Sequence, residues 1–159
     1  MQLLKIYYAY FSPGNTTEKV VSHIASSFQN YPVESINLTD YATRQEDYYF
    51  KENELLIIGV PAYGGRVPAP VVDALRHFTG SNTPVVLVAT YGNRDIDDTL
   101  IELKKNVIDK GFIPVSAASF VCQHTFLKEC AEGRPDEEDL KMAREFGDKL
   151  KERLRLLVT

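Results

Sequence analysis

The residues best suited to bind a ligand lie in the segment FSPGNTT, between the apolar run LLKIYYAY and a helical pattern that begins at Thr16. The opening N–H groups of a helix have no carbonyl partners, and with the helix dipole, worth about half a positive charge, they form an anion site. Ser12, Thr16 and Thr17 add hydroxyl donors. Gly14 lets the backbone come close, and Asn15 tolerates the left-handed conformation. The segment therefore predicts a phosphate site that needs no cation.

An ordinary turn with a helix N-cap explains the same segment equally well, because Ser, Asn and Thr are the usual N-cap residues. Two other phosphate motifs are excluded. The sequence has no Gly-Lys-Ser/Thr of a nucleoside-triphosphate loop and no G-x-G-x-x-G of a dinucleotide site.

Two further loops combine a tyrosine with glycine. VPAYGGRVPAP places Tyr63 before Gly64 and Gly65, so that a flat aromatic face adjoins a backbone that can adopt positive φ. ATYGNRD repeats the arrangement with Tyr91 and Gly92. A tight turn before a helix would explain the first of these loops. Two such loops beside a phosphate site favour the binding of a planar ligand.

The histidines and cysteines do not complete a catalytic or metal site. His23 and His77 fall in helical patterns and are interpreted as ordinary surface or boundary residues. His124 follows the last apolar run, where a ligand contact and a bond to a loop carbonyl explain it equally well. No Ser, Cys or Asp adjoins a suitable His base, so the sequence predicts no catalytic residue and no metal ligand. Cys122 and Cys130 are interpreted as free thiols in a reducing compartment.

Short β-branched or aromatic runs alternate with longer stretches of helical period, which is typical of βαβ units around a parallel sheet. The predicted strands are residues 3–9, 33–38, 55–60, 85–89 and 112–121. The predicted helices are residues 16–28, a helix opened by Pro68 with Phe78 on its inner face, residues 95–109, and a last helix capped by Asp136. The polar segment that follows residue 38 and runs through Tyr49 has no clear period, so its element is not assigned. This order predicts a doubly wound α/β three-layer sandwich. Its carboxyl edge would carry four loops: FSPGNTT, VPAYGGRVP, ATYGNRD and VCQHTF.

Length and composition predict one domain over residues 1–159. A formal net charge of −4 without a Lys/Arg cluster argues against a nucleic-acid partner. No apolar run approaches the roughly 20 residues that span a bilayer, and the N-terminus lacks a signal-peptide pattern. We therefore expect a cytoplasmic protein with neither a nucleic-acid nor a membrane partner.

The loops together resemble those of flavodoxins. FSPGNTT followed by EKVV resembles the flavin-phosphate loop, and VPAYGGRVPAP with ATYGNRDIDDTL resembles the second and third flavin-binding loops. The resemblance covers the whole chain and is nearest to flavodoxin domains fused to ferredoxin-like iron–sulfur modules, in which YGGRVPAP, YGNR and a late His followed by GRPD occur. The first loop departs from the family pattern T-x-T-G-x-T, with Ser12 in first place, Gly14 for the middle Thr and Asn15 for Gly.

The resemblance implies a flavodoxin-like five-stranded parallel sheet in the order 2-1-3-4-5, with FMN where the strand order reverses; flavodoxins are themselves the standard example of this arrangement. Tyr63 and Tyr91 would flank the flavin ring, and backbone groups beside them would bond its polar edge. The implied cofactor-binding residues are Ser12, Pro13, Gly14, Asn15, Thr16, Thr17, Pro61, Ala62, Tyr63, Gly64, Gly65, Arg66, Thr90, Tyr91, Gly92, Asn93 and His124.

Three functions remain open at this point. The favoured one is a low-potential electron carrier that exchanges single electrons with a separate redox protein, such as a ferredoxin-type carrier or an oxidoreductase, because the sequence contains no iron–sulfur cysteine set. The alternatives are an NAD(P)H-dependent FMN or quinone reductase and a flavin-free binding module. An unpaired phosphate in an acidic protein would lower the potential, whereas Arg66 at the flavin N1 would raise it.

Overall fold

The computed structural model describes residues 2–92, 95–123, 129 and 131–158, without the side chains of residues 156–158. In chain order the described elements are β1 (Lys5–Tyr10), α1 (Thr16–Ala25), a 3-10 turn (Ser26–Phe28), β2 (Val33–Asn37), α2 (Tyr41–Arg44), β3 (Tyr48–Phe50), β4 (Glu54–Pro61), α3 (Ala69–Leu75), β5 (Phe78–Gly80), β6 (Thr83–Tyr91), α4 (Thr99–Asp109), β7 (Phe112–Val121) and α5 (Glu137–Val158).

The main sheet is parallel and has the order β2-β1-β4-β6-β7. Counted within this sheet alone, that order is 2-1-3-4-5, so the predicted fold class and strand order are confirmed. The order reverses between β1 and β4, which are direct neighbours. The loops that leave these two strands therefore begin side by side at the carboxyl edge.

Apolar side chains cover both faces of the sheet. All of β4 except Pro61 is buried, as its continuous apolar run predicts for a central parallel strand. One face packs against α1 and α5 through Ile6, Leu55, Ile57, Val20, Ile24, Ala143 and Leu150. The other packs against α3 and α4 through Leu56, Ile58, Val71, Leu75, Leu103 and Val107. The ends of the strands are thus held by two packed layers.

A glycine in β4 brings α1 close to the sheet. A Cβ on Gly59 would contact Val21 Cγ2 directly and would lie 3.2 Å from Thr17 Cγ2. Both contacts belong to α1, so only a residue without a side chain permits this approach. The N-terminus of α1 is thereby fixed against the carboxyl edge of the sheet.

A second, two-stranded parallel sheet was not predicted. β3 pairs with β5, with Tyr48 opposite Phe78 and Phe50 opposite Gly80. Phe78 therefore belongs to a strand and not to the inner face of the preceding helix, which ends at Leu75. Its burial was predicted correctly, since Phe78 is 1% exposed, but its element was not.

Two helix starts show how local geometry sets the boundaries. α4 begins at Thr99 and not at residue 95, because Asp97 has φ of 45°, which a right-handed helix excludes. The predicted cap of α5 is confirmed: Asp139 N donates to Asp136 Oδ1 at 2.9 Å, and Asp136 N donates to Asp139 Oδ2 at 3.0 Å. None of the described helices is both long and apolar enough to span a bilayer.

Candidate functional site

A cleft of about 170 Å³ opens at the carboxyl edge of the sheet, where the loops after β1, β4, β6 and β7 meet. It is lined by Thr16, Pro61, Ala62, Tyr63, Gly64, Thr90, Tyr91, Gly92, Cys122 and Gln123. Eight of these residues are among the predicted site residues, whereas Cys122 and Gln123 are not. None of the described lining residues carries a charge, so a ligand here would be held by backbone groups, hydroxyls and aromatic faces.

In the loop between β1 and α1, several backbone N–H groups have no acceptor among the described residues. Asn15 adopts the left-handed conformation expected from the sequence, with φ of 64°. Its N–H donates to Ser12 O at 3.0 Å, and Glu18 N donates to Ser12 Oγ at 3.0 Å. Within the described part of the chain, the N–H groups of Gly14, Thr16 and Thr17 have no hydrogen-bond partner. Three donors therefore remain at the positive end of α1, where Thr16 meets the cleft.

Two predicted hydroxyl donors are engaged within the protein. Thr17 Oγ1 lies 2.8 Å from Thr90 Oγ1, and both residues are buried, so this pair ties α1 to the end of β6. Ser12 Oγ accepts from Glu18 N, which leaves the hydroxyl proton of Ser12 free to donate. Ser12 N donates to Thr39 Oγ1 at 2.7 Å. Thr39 follows β2 and was missed by the sequence analysis, because nothing local marks a contact between residues this far apart.

Glu18 is the acidic residue in the first turn of α1. Burial and the nearby Glu18 carboxylate raise the pKa of Tyr10 to about 12, so the phenol stays protonated and can donate to that carboxylate. The carboxylate therefore has a partner on the β1 side of the helix. Pro13 and Gly14, at the tip of the loop, are exposed.

The loop after β4 forms a tight turn over residues 63–66. Tyr63 N donates to Arg66 O and Arg66 N donates to Tyr63 O, each at 3.0 Å. Gly64 and Gly65 have φ of 58° and 75°, which corresponds to a type I′ turn and explains why two glycines follow each other. The Tyr63 ring meets Phe11 edge-on, with a centroid separation of 6.2 Å and an interplanar angle of 77°. This packing joins the second loop to the first.

Arg66 points to α4 and does not line the cleft. Its Nε and Nη2 donate to Glu102 Oε1 and Oε2 at 3.0 and 2.9 Å, and Val67 N donates to Glu102 Oε1 at 2.9 Å. The hydrogen bonds from Arg66 lower the pKa of Glu102, and burial opposes this shift. Glu102 is a second residue that the sequence analysis missed. A glutamate in an amphipathic helix is expected at an exposed position, and nothing in the local sequence indicates a contact with the distant second loop.

The remaining walls come from β6 and β7. Ala62 N donates to Thr90 O and Cys122 N donates to Tyr91 O, each at 2.8 Å, which aligns three strand ends around the cleft. Burial raises the pKa of the Cys122 thiol to about 12, against the effect of a hydrogen bond with Thr16. The thiol is therefore protonated at neutral pH. Cys122 is a free thiol, as expected from the sequence.

Three predicted features lie outside the described residues: Asn93, His124 and the thiol of Cys130. The two other histidines are partly buried, and each lies within hydrogen-bond distance of another residue of the chain. His23 Nδ1 lies 2.6 Å from Lys19 O, and His77 Nδ1 lies 2.9 Å from Asp47 Oδ1. The described residues contain no group of His, Cys, Asp and Glu that could hold a metal ion.

No protein-family model matches this sequence, and no curated protein sequence matches it. Solved structures do match. A flavodoxin from the domain Archaea is 14% identical with a TM-score of 0.65, and the match covers 96% of this chain and 99% of the other. Oxidised Flavodoxin 1 from Bacillus cereus is 16% identical with a TM-score of 0.63, covering 93% and 97% of the two chains. Two-electron reduced Megasphaera elsdenii flavodoxin is 17% identical with a TM-score of 0.57, covering 91% and 98%. At these identities the likeness shows that the chain has the flavodoxin-like fold.

Proposed function

We propose that this protein binds FMN in the cleft and carries electrons at low potential to or from a separate redox protein. The observation that carries the proposal is the set of amides of Gly14, Thr16 and Thr17 at the N-terminus of α1, which have no partner among the described residues and lie beside a cleft with two tyrosines in its wall. A phosphate satisfies such amides and interacts favourably with the helix dipole. The chain's residues therefore fit the phosphate of FMN without a basic side chain.

In this proposal the residues of the first loop, between β1 and α1, have different roles. The three unpaired amides and the Ser12 hydroxyl donate to the phosphate. Asn15 supplies the left-handed backbone that turns the loop into α1, and Pro13 lies at the exposed loop tip. Thr17 acts through its buried bond to Thr90, which keeps the helix end in register with the third loop.

Tyr63 and Tyr91 are proposed to contact the faces of the flavin ring, and the backbone of Ala62, Gly64 and Gly92 is proposed to bond its polar edge. The volume of about 170 Å³ is smaller than the roughly 300–1000 Å³ of typical ligand clefts and cavities. Part of a bound FMN would therefore remain in contact with solvent. An exposed edge suits electron exchange between proteins, because a partner can approach the cofactor directly.

FMN supplies one- and two-electron redox chemistry when it is bound, and the protein tunes the potentials. The described wall of the cleft carries no charge and the chain has a net charge of −4, so added negative charge in the cleft is disfavoured. Glu102 neutralises Arg66 on the α4 side. Both features support a low potential for the second electron.

The solved flavodoxins with the same fold include an oxidised and a two-electron reduced form, which supports electron exchange as the function. The resemblance of YGGRVPAP and YGNR to iron–sulfur-fused flavodoxin domains supports a ferredoxin-type partner. We place this exchange in the cytoplasm, where Cys122 would remain a free thiol.

An anaerobic redox titration of the purified protein loaded with FMN tests the proposal. A carrier should show two separate one-electron midpoint potentials, and addition of NAD(P)H alone should leave the flavin absorbance unchanged. Rapid bleaching by NAD(P)H would favour the reductase instead. A colourless protein that takes up no FMN would leave only a binding module with this fold.

A further inference from the structure

Glu102 lies outside the cleft but holds the chain that forms one of its walls. Its carboxylate accepts two hydrogen bonds from the Arg66 guanidinium and one from Val67 N. Val67 is 5% exposed, so its N–H would be buried without a partner if the carboxylate were absent. The Glu102 side chain is 23% exposed and that of Arg66 is 63% exposed. The carboxylate is therefore the fixed member of the ion pair.

A second anchor acts on the same turn. Asp98 N donates to Gly65 O at 3.1 Å, and a Cβ on Gly65 would lie 2.7 Å from Asp97 Cβ. The peptide between Gly65 and Arg66 is thus bonded at both ends, because its N–H donates to Tyr63 O. Rotation of this peptide would break two hydrogen bonds.

The neighbouring peptide between Gly64 and Gly65 differs. Among the described hydrogen bonds, none involves Gly64 O or Gly65 N. A Cβ built on Gly64 meets no atom within 4 Å, so the space beside it is open, and Gly64 lines the cleft. The anchors therefore leave one peptide of the turn free to rotate in the wall of the cleft.

The same anchors fix the position of a positive charge. Arg66 is the one charged residue of the turn, and Glu102 holds its guanidinium against α4. A released arginine side chain is long enough to sample the space around the turn. A cation near the cofactor would stabilise negative charge on it, with an energy that grows as the local dielectric constant falls.

We propose that Glu102 is a positioning residue that sets the potential at which a cofactor in this cleft takes up its second electron. It does so by keeping Arg66 away from the cleft. This inference rests on the proposed binding of FMN.

Glu102→Gln is the informative variant, because the amide oxygen can still accept from Val67 N while the charge that holds Arg66 is lost. Glu34→Gln is the matched control. Glu34 pairs with Lys5 at 3.1 Å on the outer part of β2, and its loss changes the net charge by the same amount. Both one-electron midpoint potentials are measured on the FMN-loaded proteins.

We expect Glu102→Gln to favour uptake of the second electron. The equilibrium constant of that step should rise about tenfold or more, as much as a pKa changes by one unit when a neighbouring charge is added. Glu34→Gln should change it less than about twofold, since an exposed charge at a distance is screened. Adding Arg66→Ala to Glu102→Gln should return the constant to within about twofold of the wild type, because the released cation is gone.

A readout without cofactor tests the anchor itself. In the FMN-free protein, amide hydrogen exchange at Val67 should be about tenfold or more faster in Glu102→Ala than in the wild type, and nearly unchanged in Glu102→Gln. Equal shifts of potential in Glu102→Gln and Glu34→Gln, or failure of Arg66→Ala to reverse the shift, would overturn the inference while the proposed function stands. A wild-type protein that takes up no FMN would overturn both.

Discussion

Replacing Gly65 with alanine measures how firmly the second loop is fixed, and Gly64→Ala is its matched control. Both positions have positive φ, where alanine costs about 1–2 kcal/mol relative to glycine. At Gly64 the added methyl group meets nothing within 4 Å, so this backbone cost is the whole effect. At Gly65 the methyl carbon would lie 2.5 Å from Asp97 Oδ2 and 2.7 Å from Asp97 Cβ. The carboxylate can rotate away, but the Asp97 Cβ cannot.

The turn must therefore move away from the segment before α4 in Gly65→Ala, and the bond from Asp98 N to Gly65 O breaks. Overpacking adds about 1–3 kcal/mol and the lost hydrogen bond about 1 kcal/mol. We expect Gly64→Ala to lower the free energy of unfolding by about 1 kcal/mol and Gly65→Ala by about 3 kcal/mol, since alanine also reduces the entropy of the unfolded chain.

Urea denaturation of the FMN-free variants measures both losses, and a fluorescence titration with FMN measures the effect on the site. Gly65→Ala should weaken FMN binding about tenfold or more beyond Gly64→Ala, because the wall of the cleft shifts. Equal losses of unfolding free energy in the two variants would refute the argument that contact with Asp97 fixes this loop.

Two further predictions concern hydrogen-bonded pairs of polar side chains. Thr17→Val should leave the Thr90 hydroxyl buried without a partner and lower the free energy of unfolding by about 1–3 kcal/mol, and the double variant with Thr90→Val should recover most of that loss; additive losses in urea denaturation would contradict this. The hydrogen bonds from Arg134 lower the pKa of Asp139 to about 2, so the stability they contribute is present above its ordinary pKa of 3.8 and is lost as the pH falls from there towards 2. The acid unfolding profile of Asp139→Asn should therefore be flatter in that window, and a profile parallel to that of the wild type would contradict the assignment.

The main sheet was predictable because its strands carry strong local signals. β4 and β6 contain continuous apolar runs, and each predicted strand of the sheet matches an observed one within three residues at either end. The meeting of the loops at the cleft was predictable from the parallel sheet. Loops that leave parallel strands share one edge of a sheet, so the tyrosine and glycine residues after β4 and β6 had to come close together.

Features that depend on contacts between distant segments were not predictable. β3 and β5 have three residues each, too few to show a period, and they are strands only because they pair with each other. Thr39 and Glu102 support the first and second loops, and no local pattern marks their contacts. Thr39 accepts one hydrogen bond from Ser12 N, and Glu102 accepts three from Arg66 and Val67. The start of α4 was misplaced because the positive φ of Asp97 arises where the second and third loops meet.

The proposed binding of FMN requires that amides at the N-terminus of α1 hold a phosphate without the help of a cation. Comparison of the dissociation constants of FMN and riboflavin for the FMN-free protein tests it most directly, because the two ligands differ only in the phosphate. Hydrogen bonds to a charged group contribute about 1.5–3 kcal/mol each, so FMN should bind at least about a hundredfold more tightly than riboflavin. Equal affinities would show that these amides do not hold the phosphate and would contradict the account.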